Sequence, residues 1–226
     1  VPNKIGEEFM AKVAVVLSGC GHLDGSEIHE AVLCLLELSL QGHSYLCFAP
    51  NKQQAKTMNH LNKELQPSLQ RNTLVESARI ARGKIHDLKM LNPKEFDALI
   101  LPGGFGAALN LCTYGEEKEN CEVDSDLKKI IEHFFELKKP IGATCIAPVI
   151  LAKVLSPKAK IKMTLGNDAE ANSSLKKMGA EGVPCHANNS ISDEQHKVYT
   201  TPCYMEQTEL KEMKEGIESL IFNMFK

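Results

Sequence analysis

The chain has 226 residues, 43% of them apolar and 24% charged, with a net charge of -3. These values suit one globular domain with a sizeable core and give no electrostatic footing for nucleic acid or an anionic membrane. No apolar stretch approaches the length of a membrane span, and the polar N-terminus VPNKIGEEFM lacks a hydrophobic signal region.

In chain order, KVAVVL over 12–17 is almost continuously apolar, the pattern of a strand covered on both faces. The turn SGCGHLDGS follows. A helix of about 15 residues then starts at Glu27, with Ser26 or Asp24 as N-cap and Gly42 as its stop. Its apolar positions Ile28, Ala31, Val32, Leu35, Leu36 and Leu38 keep helical spacing. SYLCFAP is a second strand, and the piece over 51–91 is mixed, with a helix over 72–82 ending at Gly83. DALILPGG is a strand ending at Leu101. A helix over 125–137, a strand over 140–143 and a helix over 147–154 come next, then IKMTL as a strand and a helix over 170–178. Ile191 and Val198 mark a hairpin turning over 193–197, and a last helix spans about 206–225.

This alternation predicts a mostly parallel sheet with helices on both faces, in a single domain over 1–226 whose first 11 residues form a flexible segment. Ligands of such sheets bind beyond the carboxyl ends of the strands. The turns after Leu17, Leu101 and Ala143 are therefore expected to converge on one crevice.

Eight cysteines occur without any CxxC pair, which argues against structural zinc, and three fall within apolar patterns as buried thiols. The expected setting is a reducing compartment, the cytoplasm or the mitochondrial matrix. Cys145 differs from the rest. In IGATCIAP it stands at a sharp strand-to-helix turn, which raises the side chain above the sheet and places it at a helix N-terminus that favours thiolate. In LPGGFGAALN, Gly103 and Gly104 leave main-chain N–H groups free to face a ligand or an oxyanion. In GCGHLDGSEIHEA, Glu27 is a first-turn carboxylate able to act as a general base, while His29 reads as solvent-facing or structural. No GxSxG elbow, HExxH motif or dinucleotide fingerprint is present, and no metal or cofactor is expected.

These motifs resemble the ThiJ/PfpI branch of the class I glutamine-amidotransferase-like superfamily. More narrowly, the chain is similar to the isoprenoid-biosynthesis-associated, lycopene-enhancing ElbB group of bacteria and its mitochondrial relatives. The matching stretches are VVLSGCGHLDGSEIHEAV, CFAPNKQQ, ESARIARGKI, ALILPGGFGAALNL, KPIGATCIAP, MGAEGVPC and VYTTPCYM. The resemblance implies a flavodoxin-like three-layer αβα sandwich, a homodimer, and a nucleophile elbow at Cys145. It pairs that cysteine with Glu27 and assigns the oxyanion hole to the N–H groups of Gly104 and Ile146. It further implies glyoxalase III-type activity, converting glyoxal to glycolate without glutathione or metal. Two departures stand out. Ile146 occupies the place where many members carry a histidine, and the motif around His186 does not match a triad histidine.

Three functions follow as expectations. The first is a weak, cofactor-independent glyoxalase (a lyase acting on small aldehydes) that uses Cys145 and Glu27. The second is a non-catalytic redox-sensing or ligand-binding protein that keeps the elbow. The third is an amidohydrolase or amidotransferase-like subunit, which the missing histidine disfavours.

Overall fold

The computed structural model describes residues 10–226. The first nine residues of the segment expected to be flexible lie outside the described residues, and Ala11 is buried. The first half runs β1 (Lys12–Val16), α1 (Ile28–Leu40), β2 (Ser44–Ala49), α2 (Thr73–Ile80), β3 (Ile85–Asp87), β4 (Ala98–Leu101), α3 (Phe105–Asn110) and α4 (Tyr114–Glu117). The second half runs α5 (Ser125–Glu136), β5 (Ile141–Thr144), α6 (Pro148–Leu155), β6 (Lys162–Met163), α7 (Ala169–Lys177), β7 (Glu181–Gly182), β8 (Ile191–Asp193), β9 (Val198–Thr201) and α8 (Leu210–Phe225).

A seven-stranded sheet in the order β3-β2-β1-β4-β5-β9-β8 forms the middle layer, parallel except for the β8–β9 pair. The continuous apolar run of β1 is explained by its two sides. Val13 and Val15 enter one core with α1 and α8, while Ala14 and Val16 enter the other with α3, α5 and α6. Strand order reverses between β1 and β4, so the connections leaving these strands diverge and open a crevice at their carboxyl ends. The chain is thus a flavodoxin-like αβα sandwich.

Four local expectations change. Glu27 itself caps α1, accepting from Glu30 N–H at 2.8 Å. Ser26 and Asp24 are engaged elsewhere: Ser26 Oγ accepts from Ser18 N–H at 2.8 Å, and Asp24 Oδ2 from Met58 N–H at 2.6 Å. On α1, Ile28, Val32 and Leu36 face outward, and the buried stripe runs through Glu30, Cys34 and Leu38. IKMTL does not join the main sheet. Only Lys162 and Met163 are strand, paired in parallel with β7 in a separate two-stranded sheet. The last helix starts four residues later than expected, where the Glu212 carboxylate accepts from Glu209 N–H at 3.4 Å and from Thr208 Oγ1 at 2.8 Å.

Candidate active site

β5 ends at Thr144, and the chain turns at once through Cys145, whose φ of 56° lies in the left-handed region. That conformation is unfavourable for a residue with a Cβ, by about 1–3 kcal/mol, and persists only where surrounding structure enforces it. Here the Cys145 N–H donates to the Thr201 carbonyl at 2.9 Å, fastening the turn to the end of β9. The N–H groups of Gly104 and Ile146 face the sulfur and favour its charged form. Burial first, and then the charge of Glu30, nonetheless push the thiol well above the ordinary cysteine range. Both effects oppose the thiolate expected from the helix end. α6 starts only at Pro148, and its end, like the two N–H groups, does not offset the loss of water around a thiol that is 8% exposed.

The carboxyl beside the thiol belongs to Glu30. Its Oε2 accepts from Thr144 Oγ1 at 2.7 Å and from Gly103 N–H at 3.1 Å, and Gly103 packs against both this oxygen and the Cys145 side chain. Oε1 is buried without a hydrogen-bond partner. Burial, aided by the charge of Glu27, raises Glu30 to about 7 against the opposing hydrogen bonds. Glu30 can thus take or give a proton near neutrality. This corrects the pairing of Cys145 with Glu27, which sits at the wall of the same crevice with its carboxylate committed to the helix cap.

The glycine turn after β4 also divides its roles. Gly103 N–H is shared between Glu30 Oε2 and Thr144 Oγ1, the latter at 2.9 Å, so it is not free to hold a substrate oxygen, contrary to expectation. A Cβ at Gly103 would strike Cys145 and Glu30. One at Gly104, where φ is 96°, would strike the Glu27 and Gly25 backbone. Only glycines allow the two turns to approach so closely. Gly104 and Ile146 remain the N–H pair around the sulfur.

Above these groups lies a cleft of about 690 Å³. Phe105, Ala108, Tyr114, Ile146 and Met205 line it with apolar or aromatic side chains, and His22, Glu27, His29, Lys118 and Tyr204 stand among them. His29 is exposed as expected but belongs to the cleft wall, where its Nδ1 and Tyr204 OH share a hydrogen bond of 2.9 Å. His22 was not singled out by the sequence. Burial, and then the neighbouring His60, hold it below the usual histidine range. His186 lies away from the cleft, with Nδ1 2.7 Å from Asn167 Nδ2. Among the described residues no histidine hydrogen-bonds Cys145 or Glu30, and no three His, Cys, Asp or Glu side chains are grouped to hold a metal ion.

The model of the DJ-1/PfpI family matches residues 12–181, which include all three turns of the crevice. The chain belongs to the DJ-1/PfpI family. Within the family, it is 40% identical over 220 residues to the ES1 protein homolog, mitochondrial, of Rattus norvegicus, covering 93% of this chain and 82% of that protein. The glutamine amidotransferase-like class 1 domain-containing protein 3, mitochondrial, of Homo sapiens is also 40% identical, with 93% and 81% covered. A crystal structure of an isoprenoid biosynthesis protein with amidotransferase-like domain from Ehrlichia chaffeensis superposes with a TM-score of 0.88 at 40% identity, over 94% of this chain and 98% of that one. Drosophila melanogaster DJ-1beta shares the fold, with a TM-score of 0.57 at 17% identity over 96% of this chain and 91% of that one. No helix among the described residues is long and apolar enough to cross a membrane.

Proposed function

We propose that this DJ-1/PfpI protein is a cofactor-independent, cysteine-dependent enzyme that converts small dicarbonyls to hydroxy acids, as a glyoxalase III does. The observation that carries this reading is a buried carboxyl, Glu30, raised to about 7 and held by Gly103 and Thr144 beside the Cys145 thiol. The family contains glyoxalases as well as proteins of other function.

In this reading the Cys145 sulfur attacks the aldehyde carbon, forming the S–C bond while the thiol proton passes to Glu30. The N–H groups of Gly104 and Ile146 hold the oxygen that becomes negative. Glu30 returns the proton to that oxygen, removes the hydrogen of the same carbon as a proton and delivers it to the neighbouring carbonyl oxygen, giving an enediol. The hydroxyl proton on the sulfur-bearing carbon then passes through Glu30 to the neighbouring carbon, leaving a thioester beside a hydroxyl. One carbon is oxidised, its neighbour is reduced, and no external oxidant is needed. Water then hydrolyses the resulting thioester and restores the thiol. Glu30 must begin as carboxylate, so the rate should rise with pH through about 7.

The raised thiol speaks against a sensor that depends on a standing thiolate. The mitochondrial relatives and eight unpaired cysteines favour a reducing compartment such as the matrix. The test is glycolate formation from glyoxal by the purified protein. Turnover that vanishes in Cys145→Ala supports the reading, and absence of glycolate from the wild type would sink it.

A further inference from the structure

The cleft is much larger than glyoxal requires. Its 690 Å³ lies within the roughly 300–1,000 Å³ typical of sites that enclose drug-sized ligands, whereas glyoxal has two carbons and two oxygens. Its character is also wrong for so polar a molecule. The residues next to the two N–H donors are apolar: Phe105 follows Gly104, and Ile146 supplies both a donor and an aliphatic side chain. Phe105 is 54% exposed although it opens a helix whose following residues Gly106, Ala107 and Ala108 are buried. Tyr204 is 37% exposed, and its hydroxyl is tied to His29, which holds the ring in the wall. Aromatic surface left in water beside a reactive centre is surface that a substrate can cover.

We propose that the substrates are 2-oxoaldehydes bearing a sizeable apolar group, alkyl or aryl, on the ketone carbon. This rests on the dicarbonyl reading above. The aldehyde carbon meets Cys145, and the apolar group lies along Phe105 and Tyr204, with Met205 and Tyr114 completing the wall. The balance is that already given: the aldehyde carbon is oxidised, the ketone carbon is reduced, and one water is consumed.

The test is a homologous series from methylglyoxal to 2-oxooctanal, with phenylglyoxal as the aryl member and glyoxal as the reference. In the wild type, kcat/KM should climb by about fourfold for each added methylene until the wall is covered. Phe105→Ala should reduce that slope, a ratio taken within one preparation and therefore insensitive to partial unfolding. A flat or falling series in a protein that does turn over glyoxal overturns this assignment and leaves the dicarbonyl reading standing. No turnover of any member overturns both. A slope that Phe105→Ala leaves intact overturns the placement of the apolar group.

Discussion

The two ends of the central sheet are built by different rules. At the amino ends of the strands, groups meet in ordinary ways: the Asp97 carboxylate accepts from Lys12 N–H at 2.8 Å, and Lys139 Nζ donates to the Pro93 carbonyl at 2.9 Å. At the carboxyl ends, Cys145 and Cys203 hold left-handed φ values of 56° and 46°, Gly104 lies at 96°, and an acid is buried with one oxygen unpartnered. Left-handed φ values of 54° also occur near the amino ends, at Lys138 and Lys197, but those two side chains are exposed, whereas Cys145, Cys203 and Gly104 are buried. The same fold thus separates what keeps it stable from what makes it reactive.

Variants at the two ends should differ accordingly. The largest effect belongs to Cys145→Ala, which should reduce turnover of glyoxal by about a thousandfold or more. Steady-state rates check this, and a variant retaining a tenth of the wild-type rate would remove the elbow from the chemistry. Next is Glu30→Gln. Loss of the proton carrier should slow turnover by about a hundredfold. Stability should move the other way. The folded value of Glu30 is raised from 4.5 to about 7, so the folded state binds the proton more tightly and loses stability as pH rises through that interval. The full interval is worth about 3 kcal/mol. Glu30→Gln should therefore be more stable than wild type at pH 8 by up to that amount and nearly equal to it at pH 4, as denaturant titrations at the two pH values would reveal.

Thr144→Val is expected to act more gently. It removes a hydrogen bond that lowers Glu30, so the midpoint of the rate against pH should move upward, with a stability loss of about 1 kcal/mol. A midpoint that stays in place would detach Glu30 from the rate profile. The smallest effect is expected from Asp97→Ala at the opposite end. It should lower stability by about 1 kcal/mol or less and leave the pH profile of turnover unchanged. A shifted profile would erase the distinction between the two ends.

The sheet, its alternating helices and the three strand-end turns were legible because each rests on a local signal, continuous apolar runs for buried strands and glycines at close turns. The identity of the acid was not. Glu27 and Glu30 are one helical turn apart, and first-turn position favours either. The phase of the helix distinguishes them, since Glu30 lies four residues before Cys34 and eight before Leu38, both buried. The exposed Ile28, Val32 and Leu36, which share the helical spacing of the buried apolar positions, concealed that stripe. The upward shift of the thiol was hidden for another reason: sequence shows the helix end that favours charge, whereas the surroundings of Cys145 include Gly103 and Glu30, which the fold brings in from elsewhere in the chain. The role of Gly103 N–H likewise depended on Thr144, 41 residues away.

The turns around the crevice are joined to one another through the main chain. Glu27 N–H donates to the Gly103 carbonyl at 2.9 Å, Gly106 N–H to the Gly25 carbonyl at 2.8 Å, and Phe105 N–H to the His22 carbonyl at 2.8 Å. Loops stitched together in this way cannot swing independently, so neither of these two turns can act as a flap over an arriving molecule. Ligand association should then follow a single exponential whose rate grows linearly with concentration, without the plateau that a slow isomerisation imposes. Selectivity in such a site is set by the shape of an open doorway, and altering it calls for new side chains on the walls rather than looser loops.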